Sequence, residues 1–334
     1  VTNLIDTLAM FPYIVPGSVL GITLLLAFNG KGDPLVLSGT AVLIIAGSGP
    51  TDRNGNSNVT GIATDSYKML ADSLASHGYA SLRYDKRGIA ESAASATDES
   101  KLIFENYIDD AVAWVEWLVA DERFDRVVLA GHSEGGLIAL AAARRTDKVS
   151  AVITLAGVGE PIDATLRRQL STQPEPYRSE CMRIIDELKA GRAVENINPA
   201  LMALFRPSVQ PYLISQMRYD PAAEARALSV PLLVVQGTTD IQITLNDAMK
   251  ISMGNLRAKL AIINGMNHVL KPCESLDQQA QMMTYINPSI ALAPTLIDAK
   301  PSCEGGELAK SCQMIDWDRN VLLNALEPYR TIGI

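Results

Sequence analysis

Short apolar runs at 21–27, 41–46, 80–84, 127–130, 151–156, 232–236 and 259–263 are each bounded by Gly, Pro, Asn, Asp or Ser, and predict strands. Between several of them the apolar positions recur at helical spacing, which predicts helices over 67–76, 107–119, 136–145 and 245–253. Strands alternating with helices imply an α/β fold: a mostly parallel sheet covered by helices on both faces. In open sheets of this kind ligands bind at the carboxyl ends of the strands. The rhythm breaks once. From 158 to 228 the segments IDATLRRQL, YRSECMRIIDELKAG, INPALMALF and VQPYLISQMRY read as helices, punctuated by Pro199, Pro207 and Pro211. A simple crossover needs only about a dozen residues, so this stretch is expected to be a helical cap, or lid, inserted between two strands. The expected division is a core of 1–157 and 229–334 with a cap of 158–228.

Composition narrows the possibilities. The chain has 334 residues, is 48% hydrophobic and 20% charged, and carries a formal net charge of −8. That is a globular balance, and with no Lys/Arg-rich run it argues against a nucleic-acid partner. Residues 7–30 hold no charge, but Pro12, Pro16, Gly17 and Gly21 interrupt them. A spanning helix needs about 20 predominantly apolar residues, so a buried strand is expected there rather than a membrane span. No basic flank precedes the segment, which also argues against a signal peptide. The four cysteines, Cys181, Cys273, Cys303 and Cys312, form no CxxC pair, and three histidines give little material for a metal site. Neither metal nor cofactor is expected. Composition leaves both cytoplasm and export open; in an exported protein Cys303 and Cys312 could close a disulfide around their short loop.

The candidate chemistry lies in VVLAGHSEGG, where an apolar strand runs into Gly131-His132-Ser133-Glu134-Gly135 and then a helix. A serine on such a turn is exposed, and flanking glycines remove the side chains that would collide there. A hydroxyl nucleophile requires a base. His77 precedes a glycine at a helix end, and His132 adjoins the serine but should point elsewhere. His268, in the Asn/Gly-rich segment after the last expected strand, is the candidate base. Asp240, just after the strand at 232–236, is the candidate orienting acid. Asp247 competes, but it falls within the following helix and is expected to face solvent. The order Ser133, Asp240, His268 is that of strand–elbow–helix hydrolases. Two amides are expected to form an oxyanion hole: that of Glu134, after the nucleophile, and that of Ser48 in the Gly47-Ser48-Gly49 loop, with Gly47 second.

These pieces resemble the α/β-hydrolase fold superfamily, specifically its bacterial serine aminopeptidase-like and esterase-like branch. The resemblance is carried by IIAGSGPTDRNGN, SLRYDKRGIAES, VVLAGHSEGG, RPSVQPYLISQMRYDP, VVQGTTDIQIT and GMNHVLK, in order from about 41 to 272. It implies the same triad, Ser133–His268–Asp240, and the same oxyanion donors. Asp85-Lys86-Arg87-Gly88 resembles a structural loop of the family and is given no chemical role. Ala90 departs from the pattern, standing where a glycine is usual, and the tail from Lys300 lies outside it. The expected activity is cleavage of small to medium acyl esters; an amide-cleaving aminopeptidase and an acyltransferase would use the same triad. An aminopeptidase should carry a carboxylate to hold the substrate's ammonium group. In the cap, Met202, Phe205, Leu213, Met217 and Tyr219 are candidates to line an acyl pocket, and the alternative is that they pack the cap onto the sheet.

Overall fold

The structure is a computed structural model and describes residues 39–297. The expected strand at 21–27, the Cys303–Cys312 pair and the tail from Lys300 lie outside the described residues. Within them six strands form one sheet: β1 (Thr40–Ile45), β2 (Ala80–Arg83), β3 (Arg126–His132), β4 (Val149–Leu155), β5 (Leu232–Gly237) and β6 (Lys259–Ile263). Their order across the sheet is β2-β1-β3-β4-β5-β6, and every neighbouring pair is parallel. The strands β1, β3, β4 and β5 are largely apolar and buried on both faces, as the interior of a parallel sheet requires, while the edge strand β6 is partly exposed.

The pleat divides the core in two. On one face Leu43, Ile45, Val127, Leu129, Val152 and Val234 meet helices α2 (Phe104–Val119), α3 (Glu134–Ala143) and α9 (Leu245–Gly254). On the other, Val42, Ile44, Val128, Ala130, Ile153 and Val235 meet α1 (Ser66–Ser76) and α11 (Pro294–Ile297). Helix α10 (Gln278–Tyr285) follows β6. Beyond Glu134 at its start, helix α3 is apolar on all sides, and every one of its residues is buried, the pattern of a helix enclosed within the core.

Between β4 and β5 the chain forms α4 (Ile162–Leu170), α5 (Tyr177–Lys189), α6 (Met202–Phe205), α7 (Gln210–Gln216) and α8 (Pro221–Arg226). Their inward residues, among them Ile184, Ile185, Leu188, Phe205 and Leu213, belong to the same hydrophobic cluster as α2 and α3. The two sets of helices therefore share one core.

One expectation is corrected here. Asp247 does not face solvent; it is 1% exposed. It sits in the first turn of α9, where its carboxylate accepts from Thr244 N (2.9 Å) and Thr244 Oγ1 (2.8 Å), completing a capping box. The same carboxylate accepts from Gly159 N at 3.2 Å and from Arg168 Nη2 at 3.0 Å. It ties α4 and the β4 exit to α9, a structural task that a reading of helical periodicity does not reveal.

Ala90, the departure from glycine, has φ 43° and is exposed. An L-residue in the left-handed region costs about 1–2 kcal/mol, part of which glycine's greater freedom in the unfolded chain offsets. Ala90→Gly is therefore expected to stabilise the protein by about 0.5–1 kcal/mol, read as a higher denaturant midpoint at unchanged m-value. A lower midpoint would contradict this account of the turn.

Candidate active site

Parallel registry aligns the strand ends. Ile45 lies opposite Gly131, so the Gly47-Ser48 loop leaves β1 beside the turn that leaves β3. The glycines of that turn are steric necessities. A Cβ on Gly131 would fall 2.0 Å from the Gly135 carbonyl oxygen, and one on Gly135 would fall 2.3 Å from the Ile45 carbonyl oxygen. Between them Ser133 takes φ 53° and ψ −120°, a conformation that costs of order 1–3 kcal/mol. Its amide donates to the Leu155 carbonyl at 2.9 Å and its carbonyl accepts from Gly136 N at 3.0 Å. The strained serine is thus clamped at the N-terminus of α3, where backbone amides favour negative charge.

Gly237 ends β5 in contact with the Met266 carbonyl, which brings the segment after β6 against the segment after β5. This approach places His268 Nδ1 2.8 Å from Asp240 Oδ2. Asp240 is fully engaged: Oδ1 accepts from the amides of Gln242 (2.8 Å) and Ile243 (2.9 Å), and Oδ2 also accepts from Gln236 Nε2 (3.1 Å). Burial alone would raise the Asp240 pKa. The His268 ring and the two amide donors outweigh it and hold the carboxyl below its ordinary value. An ionised Asp240 accepts a hydrogen bond from the His268 Nδ1–H, so the ring's lone pair is on Nε2.

His132 has a different task. Gly47 N–H donates to Tyr67 Oη at 3.1 Å, Tyr67 Oη lies 2.7 Å from His132 Nδ1, and His132 Nε2 lies 2.7 Å from the His268 carbonyl oxygen. A carbonyl only accepts, so Nε2 carries the ring proton and Nδ1 accepts from the Tyr67 hydroxyl. Burial raises the Tyr67 pKa, which keeps it a donor. Burial, reinforced by the neighbouring His268, lowers His132 to about 3. The ring is a neutral strut between the Gly47 loop and the backbone of His268, packed beside the elbow as its sequence position suggested. His77 is the C-cap of α1, again as its position suggested.

Ser133, His268, Ser48 and Gly47 line one cavity of about 150 Å³ together with Tyr67, Gln242 and Tyr285. Gln242 Nε2 donates to Tyr285 Oη at 2.6 Å across one wall. The sequence reading missed these three residues. Gln242 alone had a signal, two positions after Asp240 at the carboxyl edge of the sheet. Glu134 begins α3 with its side chain buried, away from the cavity lining. None of Met202, Phe205, Leu213, Met217 and Tyr219 lines this cavity. Phe205, Leu213 and Met217 are buried in the shared core, Tyr219 Oη bonds Arg145 and Glu105, and Met202 is 40% exposed. The buried members of this apolar stripe pack helix on helix, the alternative that the sequence left open. In the Asp85-Lys86-Arg87-Gly88 loop, Asp85 accepts from Arg53 N at 2.7 Å and Nε at 3.0 Å, and Arg87 pairs with Asp110. No group of three or more His, Cys, Asp or Glu placed to hold a metal ion occurs among the described residues, and none of their helices is long and apolar enough to cross a membrane.

A parallel sheet with a strained serine between β3 and α3, and a His–Asp pair after β6 and β5, is the architecture of an α/β hydrolase. The family model described as serine aminopeptidase, S33 matches residues 61–271, and the chain belongs to that family. The chain is similar to esterase EstD of Thermotoga maritima, 29% identical over 238 residues, which cover 69% of this chain and 54% of that protein. It thus spans about half the length of this relative. Among solved structures, Est1E from Butyrivibrio proteoclasticus with bound ferulic acid has a TM-score of 0.48 at 19% identity, covering 73% of this chain and 85% of that one. The Pyrococcus furiosus esterase Pf2001 has a TM-score of 0.46 at 15% identity, covering 74% and 78%.

The neutral His132 gives a prediction in pH. Its folded pKa of about 3 lies below the ordinary value near 6.5. As pH falls below about 6.5 the unfolded chain takes up a proton that the folded chain refuses. Its contribution to stability is complete above that value and is lost progressively towards pH 3, amounting to a few kcal/mol in order of magnitude. Unfolding free energies measured from pH 7 to 4 should fall less steeply in His132→Gln, by up to one proton's worth of slope. Identical slopes would refute the buried neutral ring.

Proposed function

We propose that the protein is a serine carboxylesterase acting on esters with small to medium acyl groups. The observation that carries this reading is the convergence of Ser133, the His268–Asp240 pair and the Ser48 loop on a single cavity. Ser133 Oγ attacks the ester carbonyl while His268 Nε2 takes its proton. The Asp240 carboxylate fixes the ring and stabilises the imidazolium. The amides of Ser48 and Glu134 hold the oxyanion. The Gly47 amide is committed to Tyr67 Oη, which favours Ser48 as the donor from that loop. His268 then protonates the leaving alcohol, and water attacks the acyl-enzyme by the reverse proton path. The helices of 158–228 serve as a cap that abuts the elbow through Gln216.

The size and lining of the cavity favour an ester with a short acyl chain. An apolar cavity of about 150 Å³ accommodates a molecule the size of benzene, so an acyl group of comparable size fits the cavity seen here. No Asp or Glu lines it, so nothing in that lining pairs with the free ammonium an aminopeptidase must hold. The name of the Thermotoga relative agrees with this preference.

Turnover of p-nitrophenyl butyrate tests the reading. Ser133→Ala should lower kcat by about five orders of magnitude or more, and Asp240→Asn by about 10³–10⁴ through the wrong His268 tautomer, with circular dichroism unchanged. Undiminished turnover in Ser133→Ala would end the assignment. Aminoacyl p-nitroanilides should be turned over far more slowly than the ester; the opposite ranking would favour the aminopeptidase.

A further inference from the structure

Lys86 is 1% exposed, and none of the steps above uses it. It leaves β2, which lies beside β1 and two strands from β3. Its stem carries the ammonium along the carboxyl edge of the sheet to the exits of β1 and β3. Nζ donates to the Gly47 carbonyl at 2.5 Å and faces Glu134 Oε1 at 3.4 Å. The Tyr107 ring lies below it, with the centroid 4.9 Å away. Glu134 Oε2 accepts from Gln216 Nε2 on α7 at 3.0 Å. The shorter contact is to the peptide carbonyl, and the carboxylate balances the charge.

The Gly47 carbonyl and the Ser48 N–H are the two ends of one planar peptide unit. A cation on the oxygen fixes the plane and draws electron density from nitrogen, which strengthens the N–H as a donor. That N–H belongs to a residue lining the cavity. The opposite side of Gly47 is held by Tyr67 Oη, and a Cβ on Gly47 would stand 3.2 Å from both His132 Nδ1 and Ser133 Cβ. The loop is thus pressed against the elbow and anchored at both ends of one residue. A buried ion pair is weak grounds for stability, because the desolvation cost rivals the attraction. Here the ammonium spends its closest contact on a peptide whose other end belongs to Ser48, which lines the same cavity as the candidate serine.

We propose that Lys86 is a positioning residue for the oxyanion site, holding and polarising the Gly47–Ser48 peptide and tying it to Glu134 at the elbow. This inference rests on the serine-esterase reading and deepens it. One side chain sets the orientation of both expected oxyanion donors: the Ser48 amide through its own peptide plane, and the Glu134 amide through the carboxylate of the same residue.

The test compares Lys86→Met with Lys86→Met/Glu134→Gln, using p-nitrophenyl butyrate and the corresponding thionoester, whose sulfur is a poor acceptor. The single variant leaves a carboxylate buried without its cation and should melt lower; the double variant removes that charge and should recover most of the melting temperature. In both, kcat on the ester is expected to fall about ten-fold or more, since a donor active in the transition state is weakened. KM should stay within about two-fold, because the ground state loses little. The preference for ester over thionoester should shrink in both. A double variant that recovers wild-type kcat along with its melting temperature, or an unchanged thionoester preference, would overturn the proposal and leave Lys86 a purely structural residue. Labelling of wild-type Ser133 by a fluorophosphonate separates the two levels. An unlabelled wild type defeats the esterase reading itself, whereas a labelled wild type with fully active folded variants defeats only the role of Lys86.

Discussion

Everything at the carboxyl edge of the sheet depends on one backbone conformation, the positive φ of Ser133. A serine does not hold that conformation by its own preference. It is held because β3 and α3 are both buried and because the two glycines allow backbone to touch backbone at Gly135–Ile45 and Gly131–Gly135. The strain is local, while the packing that sustains it is spread over the centre of the fold. The same close approach sets the distance from the elbow to the β1 exit, and so the position of the Gly47-Ser48 loop.

Two imidazoles lie 4.8 Å apart between ring centroids and differ completely in chemistry because of what surrounds them. His132 has both nitrogens engaged, one by a hydroxyl and one by a carbonyl. His268 has one nitrogen committed to a carboxylate, and the ring reaches the cavity. The neutral ring also anchors the backbone of the other, so the proposed base is steadied from two directions: Asp240 on its ring and His132 on its carbonyl. Solvent-excluded polar networks of this kind stabilise only when every member is satisfied.

The six described strands, the principal helices and the candidates Ser133, Asp240 and His268, which the fold brings to one edge of the sheet, are legible in the sequence because each depends on local pattern or on elimination. Apolar runs bounded by turn residues give the strands, and three histidines leave few choices. What escaped depends on registry. Lys86 and Glu134 are far apart in sequence and meet only because β2, β1 and β3 are neighbours in that order. Asp247 looks solvated by helical periodicity, but its place in the first turn of α9 bends its carboxylate back to the cap and onto Arg168. The apolar residues of α6 and α7 carry the same pattern whether they face a ligand or a neighbouring helix, and composition cannot distinguish the two. Tyr67 and Tyr285 reach the cavity from α1 and α10, which approach it only through the tertiary fold.

The shared core of α4–α8 and the sheet-covering helices has a consequence for how the molecule changes over time. A helical excursion with its own separate core could be exchanged or remodelled as a module. This one has no seam: Phe205, Leu213 and Met217 are packed with the residues that bury α2 and α3, and Gln216 touches the elbow's glutamate directly. A substitution that shifts this packing is therefore felt at the elbow through Gln216. Stability of the excursion and geometry of the elbow rest on the same few side chains.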